Sequence, residues 1–429
     1  MRAVRTFRNP KASLWQSAAD RVRAGRSGAR VRPGLDDPIV SEASELAALV
    51  ESGQGVERLA AAIRTPAATM ADAGLHCSRL SMALGEARAV AAQNDVERCS
   101  RELDPDSGSC DADWMGIAEE YARNLVLHFG PPPYRRHTAL GDFVIEGKLP
   151  ARARIAIASQ LGTGLAPARE TLRQIAARQP DVFIHLGDIL YSGTPFEVKR
   201  YFLEPLEETI GLDRTACYSL CGNHDVYSGG EGYYEVLLEA LKQPASYFCL
   251  RNDHWQFLAL DTGLHARIPG RGPAYLEASE LAWLKHKIES AGGRQTALLS
   301  HHPLFSAHEA IGDTFYNEDL YSQVAPALDR AAVWFWGHER RLAIYDGFDA
   351  LQPGLARGRS LGRGAEDAPE GPAAPEVRIL KSHPLSEGAH AYAIVELDGA
   401  KARISYHTSG AAGAPLFEET VGAAVQSAS

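Results

Sequence analysis

Four short polar clusters, each directly following an apolar run, limit what this chain can fold into more than any other feature. They are Gly187-Asp188 with Tyr191, Gly222-Asn223-His224-Asp225, His301-His302-Pro303 and Gly337-His338-Glu339. The runs ahead of them are Phe183-Ile184-His185-Leu186, Ala216-Cys217-Tyr218-Ser219-Leu220, Ala297-Leu298-Leu299 and Val333-Trp334-Phe335-Trp336. Short runs of β-branched and aromatic residues bounded by turn formers read as buried strands. In open α/β sheets, functional groups gather beyond the carboxyl ends of the strands. A carboxylate, an amide oxygen and several imidazoles brought there from distant stretches of chain are ligands for a divalent metal.

In order and composition the four clusters resemble those of the calcineurin-like metallophosphoesterases. The Gly-Asp-x-x-Tyr spacing that ends at Tyr191 resembles the purple-acid-phosphatase branch. The resemblance covers roughly Ala151 to Tyr345, with continuation to about His407. It implies an α/β fold, a four-layer α/β/β/α sandwich of two mixed sheets, and hydrolysis of phosphoric esters. It also implies roles. Asp188 is the carboxylate between two metal positions, and Asn223, His301 and His338 complete the second of them. His301 is the ligand of its pair because it has the His-x-Pro spacing, and His302 lines the pocket. His224 faces the substrate as proton donor, with Asp225 orienting its ring. Tyr191 is a ligand of the first metal position or, where that position is incomplete, a packed or substrate-facing phenol.

Two positions depart from the pattern, and both belong to the first metal position. The aspartate expected after the run Arg154-Ile155-Ala156-Ile157-Ala158 is Gln160, and the final histidine of Gly-His-x-His is Arg340. One divalent ion per chain is therefore expected, and mixed N/O ligands suit Mn, Fe or Zn. Losing one carboxylate and gaining one guanidinium equals the charge of the missing ion. Arg340 can then grip phosphate in its place; the alternative is a decayed half-site with Arg340 turned outward. Three functional readings follow: a metal-dependent phosphoesterase of reduced activity, a pseudo-phosphatase that binds phosphorylated ligands, and a scaffold docking a protein partner through residues 38–149.

At 429 residues the chain exceeds a typical single domain. A formal charge of −10 argues against broad binding of nucleic acid or anionic membrane. No apolar stretch approaches the ~20 residues that span a bilayer, and the N-terminus has no apolar signal core. None of the six cysteines forms a Cys-x-x-Cys pair, which fits a reducing, cytoplasmic compartment. Residues 1–37 read as a disordered leader, Arg-rich as transit peptides also are, and 38–149 as a helical accessory region. Residues 150–410 read as the catalytic domain and 411–429 as a tail.

Helices are expected at Ala166–Arg178, Pro195–Thr209, Gly232–Lys242, Glu277–Ala291 and Asn317–Arg330. One hairpin is expected to turn at Asn252-Asp253 and another at Asp398-Gly399. Gly354–Pro375, rich in Gly, Ala, Pro and charge, reads as loop.

Overall fold

The computed structural model describes residues 13, 14, 17, 18, 20, 21, 131–266, 274–348, 357–364, 374, 376–386, 388–409 and 413–422. Among these residues there are fourteen strands. In chain order they begin with β1 (Val144–Ile145), β2 (Arg152–Ala158), β3 (Val182–His185), β4 (Ala216–Ser219) and β5 (Phe248–Arg251). There follow β6 (Trp255–Ala259), β7 (Gln295–Ser300), β8 (Ala331–Trp336), β9 (Arg341–Phe348) and β10 (Gly358–Leu361). The last are β11 (Val377–Pro384), β12 (Ala391–Asp398), β13 (Lys401–Thr408) and β14 (Phe417–Val421). They form two mixed sheets, of eight strands in the order β1-β5-β6-β7-β8-β10-β9-β11 and of six in the order β14-β13-β12-β2-β3-β4.

Alternation along the strands separates the layers. Ile155 and Ile157 of β2 meet Phe257, Leu299 and Phe335 of the larger sheet in one apolar cluster between the sheets. Ala156 and Ala158, facing the other way, pack with Leu172 and Ile175 of helix α1 (Ala166–Ala177). On the larger sheet, Leu298 and Trp334 pack with Trp283 of α2 (Ala278–Glu289) and Val324 of α3 (Glu318–Leu328). Each helix spends its apolar stripe on a sheet face, as an amphipathic helix must. The Pro195 segment is helical in three pieces: Pro195–Glu197, a π-helical turn Val198–Leu203, and Glu204–Thr209. The Gly232 segment is π-helical over Gly232–Leu237 and α-helical over Leu238–Ala240. Both expected hairpins form, β5 with β6 and β12 with β13.

Strand register brings the motifs together. β2, β3 and β4 are parallel, with Ala158 beside His185 and His185 beside Ser219. β6, β7 and β8 are also parallel, with Ser300 beside Trp336. Within each parallel set the strands therefore end at one level, all four polar clusters follow directly, and the 2.7 Å bond from His301 to the Leu186 carbonyl joins the two sets.

Several expectations do not hold. β10 lies inside the expected loop Gly354–Pro375 and pairs with β8 and β9. Its sequence hides it because its central side chain is a buried arginine: Arg359 donates to both oxygens of Glu419 on β14, at 2.6 and 2.7 Å. Gly358 is needed there, since a Cβ would lie 1.9 Å from the Trp336 ring. β1 precedes residue 150 and β14 follows residue 410, yet both are paired within the sheets. The expected disordered leader fails at Ser13, Leu14, Ser17, Ala18 and Asp20, which are helical and buried. The expected helical accessory region lies outside the described residues as far as residue 130.

One buried histidine gives the fold a testable acid sensitivity. His390 is 1 % exposed. Burial first, then the charge of Arg363, push its imidazole down to about 3, while a hydrogen bond to the Ser159 carbonyl acts the other way. The folded chain thus takes up this proton less readily than the unfolded chain, whose value is the ordinary 6.5. The stabilising contribution is complete above that value and is lost as pH falls towards 3, at about 1.4 kcal/mol per pH unit. In His390→Gln this loss should disappear. Urea midpoints of the two proteins between pH 7 and 5 should converge as pH falls; a constant gap would contradict the account.

Candidate metal centre

Gln160, Asp188 and His338 all follow strand ends and all take left-handed backbone, with φ of 56, 70 and 64°. Non-glycine residues adopt this region at a cost, and such positions concentrate where geometry serves a site. Gly222 permits the approach of two of the loops, since a Cβ there would sit 2.2 Å from Asp188 Oδ1.

His301 lies at the centre of the group. Its Nδ1–H donates to the Leu186 carbonyl at 2.7 Å, which turns Nε2 inward. Nε2 is 3.1 Å from Asp188 Oδ2, 3.1 Å from Asn223 Oδ1 and 3.1 Å from His338 Nδ1. The Asn223 amide nitrogen donates to the Tyr227 hydroxyl at 2.5 Å, so its oxygen is the atom that faces His301. A carboxylate oxygen, an amide oxygen and ring nitrogens thus converge at one buried point. Only a positive charge among them reconciles so many lone pairs, and the N/O donor set suits a divalent ion. The titration of the pair agrees. Burial acts to raise the Asp188 carboxyl, but the imidazoles of His301 and His224 outweigh it and hold the group well below the usual carboxylate range. Burial acts to lower His301, and the Asp188 charge outweighs it, so the imidazole is raised above its ordinary value.

His302 joins this group. Ring nitrogens of His301, His302 and His338 all lie within 4.8 Å of one another. The Thr262 hydroxyl accepts from the His302 backbone N–H at 3.0 Å and lies 3.1 Å from its Nδ1.

His224 donates its backbone N–H to Asp188 Oδ1 at 3.1 Å. Its ring is not oriented by Asp225 as expected: Nδ1 donates instead to the Tyr191 carbonyl at 2.5 Å. The Asp225 carboxylate accepts three backbone N–H bonds, from Gly222 at 2.7, Ile189 at 2.8 and Asp188 at 3.0 Å. It is a strut between two loops. Burial and the neighbouring Asp188 charge push it up to about 7 against the pull of those three donors.

Gln160 donates its backbone N–H to the Gly187 carbonyl at 2.9 Å, and its side-chain oxygen is buried without a hydrogen-bond partner. Arg340 is half-buried at the head of β9, with its backbone N–H donating to Glu309 at 3.2 Å. Glu339 of the fourth cluster is an internal anchor, accepting from Ser306 Oγ at 2.5, Trp336 Nε1 at 2.6 and Tyr345 OH at 2.8 Å. His185, read as a core residue, is fully buried and accepts from the Leu161 N–H at 3.2 Å.

Sequence reasoning missed Tyr227, Thr262 and Glu197, each of which holds a site residue or its loop. Only Glu197 left a usable signal, the Thr194-x-x-Glu197 pattern of a capping box ahead of a helix.

Residues 153–341 match the family model described as calcineurin-like phosphoesterase. Among solved structures, the chain is similar to a purple acid phosphatase from yellow lupin (Lupinus luteus) seeds. That match has 13 % identity and a TM-score of 0.48, over 64 % of this chain and 54 % of that one. The chain thus spans about half the length of the lupin protein. It is also similar to a dimetal phosphatase from Danio rerio, at 13 % identity and TM-score 0.42, over 63 % of this chain and 98 % of that one. A predicted phosphoesterase from Streptococcus pneumoniae matches at 14 % identity and TM-score 0.29, over 63 % and 98 %. No curated protein sequence matches the chain. Residues 153–341 carry all four polar clusters and both departures from their pattern, and they belong to the calcineurin-like phosphoesterase family.

Proposed function

We propose that this chain is a metal-dependent phosphoric ester hydrolase of reduced activity, built on a four-layer α/β/β/α sandwich. Its one complete metal position consists of Asp188, Asn223, His301 and His338. The observation that carries this reading is the convergence of Asp188, Asn223 and His338 on His301 Nε2, each at 3.1 Å. One Mn, Fe or Zn ion per chain would polarise a phosphoryl oxygen and acidify water there. The protein supplies the rest. The Leu186 carbonyl fixes the His301 tautomer, and a second-sphere acceptor of this kind strengthens a ligating imidazole. The Tyr191 carbonyl holds His224 Nδ1 and leaves Nε2 to give a proton to the leaving oxygen. Tyr191, His302 and Arg340 face a phosphorylated small molecule or another phosphoester. The domain spans about 150–410 in a cytoplasmic protein, and residues 38–149 offer a surface to a protein partner. Among the described residues no helix is long and apolar enough to cross a membrane.

The experiment is turnover of generic phosphomonoesters and phosphodiesters by the purified chain, before and after chelation. Turnover that disappears with chelator and returns with Mn, Fe or Zn supports the hydrolase. Retained metal with no turnover of any ester favours the second reading, a pseudo-phosphatase. The neutral, buried and unpartnered Gln160 oxygen, standing where a carboxylate is expected, favours that second reading.

Arg340 as a surrogate cation makes a separate prediction. Arg340→Ala should weaken binding of inorganic phosphate by about 1.5–3 kcal/mol, the worth of a charge-assisted hydrogen bond. Calorimetry showing unchanged affinity would leave a decayed half-site as the better account.

A further inference from the structure

The loop between Asp188 and Thr194 is held from outside the site by one buried carboxylate, Glu197, which is 1 % exposed. Its Oε1 accepts from the Tyr191 N–H at 2.5 Å and from the Ser17 hydroxyl at 2.8 Å. Its Oε2 accepts from the Ser192 N–H at 3.2 Å, and from the Thr194 N–H and hydroxyl at 3.0 Å each. A capping box needs only the Thr194 pair. The remaining bonds fix the backbone of Tyr191 and Ser192. They matter because the Tyr191 carbonyl, which holds His224 Nδ1 at 2.5 Å, shares its peptide plane with the Ser192 N–H, and Glu197 holds both that N–H and the Tyr191 N–H on the other side of the Cα.

Ser17 extends this chain of bonds to the N-terminal segment. Its proton goes to Glu197, so in the 2.6 Å contact between the Ser17 and Ser192 hydroxyls it is Ser192 that donates. Two further contacts fasten the same segment beside the loop. Asp20 accepts from the Tyr201 hydroxyl, and the Arg21 guanidinium lies 5.9 Å from the centre of the Phe196 ring.

We propose that Glu197 is a positioning residue for His224, and that the N-terminal segment acts on the site through Ser17 and Glu197. The proposal rests on the reading of His224 as proton donor. Both carboxylate oxygens of Glu197 face only donors. A glutamine must therefore turn its NH2 towards N–H or O–H groups on one side, releasing either the Tyr191 N–H or the Ser192 and Thr194 N–H groups; in both cases one flank of the Tyr191 carbonyl is freed although the volume is unchanged. Ser17→Ala removes one donor of the five and should act in the same direction, less strongly.

The test uses the full chain with Glu197→Gln, Ser17→Ala, His224→Ala and the double variant Glu197→Gln/His224→Ala. Glu197→Gln should lower kcat by about tenfold or more, within the range of a proton-transfer contribution, with KM and metal content unchanged. In the His224→Ala background it should add little, because coupled residues are non-additive. A full additional loss in that background would make Glu197 a purely structural cap and overturn the proposal. The 15N spectrum of the imidazoles gives a readout that needs no turnover, with the His224 signal identified by its loss in His224→Ala. The unaltered chain should show His224 protonated at Nδ1, and Glu197→Gln and Ser17→Ala should shift that balance. An unchanged His224 signal in both variants overturns the proposal even if the chain hydrolyses nothing. Absence of turnover in the unaltered chain counts against the hydrolase reading alone. Should Glu197→Gln fail to fold, Ser17→Ala decides.

Discussion

Replacing His224 by alanine is expected to lower kcat by about 10²–10⁴-fold, the usual share of a general acid, while the metal stays bound. The expectation follows from how His224 is attached. Its tie to Asp188 runs through its backbone N–H, which alanine retains. Its imidazole is held by the Tyr191 carbonyl and is not among the groups that converge on His301 Nε2. Removing the ring should therefore remove proton transfer without removing a ligand. Steady-state kinetics beside elemental analysis separates the cases: parallel loss of metal and turnover would make His224 a ligand or a structural residue.

Asp188→Ala should abolish metal binding. Among the described residues Asp188 is the one carboxylate in direct contact with His301, and it is held ionised although 1 % exposed. Without it the position keeps an amide oxygen and imidazoles, a neutral set with much weaker hold on a divalent ion. Alanine carries its own penalty in left-handed backbone, about 1–2 kcal/mol, so a loss of melting temperature is expected as well. Asp188→Asn separates the two effects, because asparagine tolerates that backbone but lacks the charge. It should melt close to the unaltered chain and still lose most of the metal. Tight binding by the asparagine variant would mean that another carboxylate anchors the ion.

The motif-bearing strands could be read from the sequence because each couples a largely apolar run to a turn, and burial on both faces leaves that mark. β10 could not, since its inward side chain is Arg359, neutralised by Glu419 from sixty positions further along the chain. β1 is only two residues long and carries no period at all. Asp188, Asn223, His301 and His338 were identifiable as a group because ligand chemistry restricts which residue types serve. The role of Asp225 was not, since nothing in its spacing distinguishes a carboxylate that bonds a ring from one that ties three backbone N–H groups. Ser17 was out of reach for a similar reason: a hydroxyl 180 positions from its acceptor leaves no local signature.

The most direct test of a single complete metal position is the metal content of the purified, unaltered chain. With Gln160 and Arg340 in place of the first position's ligands, elemental analysis should find close to one Mn, Fe or Zn per chain. Two ions per chain would mean that other residues rebuild the first position, and none would mean that the convergence on His301 holds only a proton.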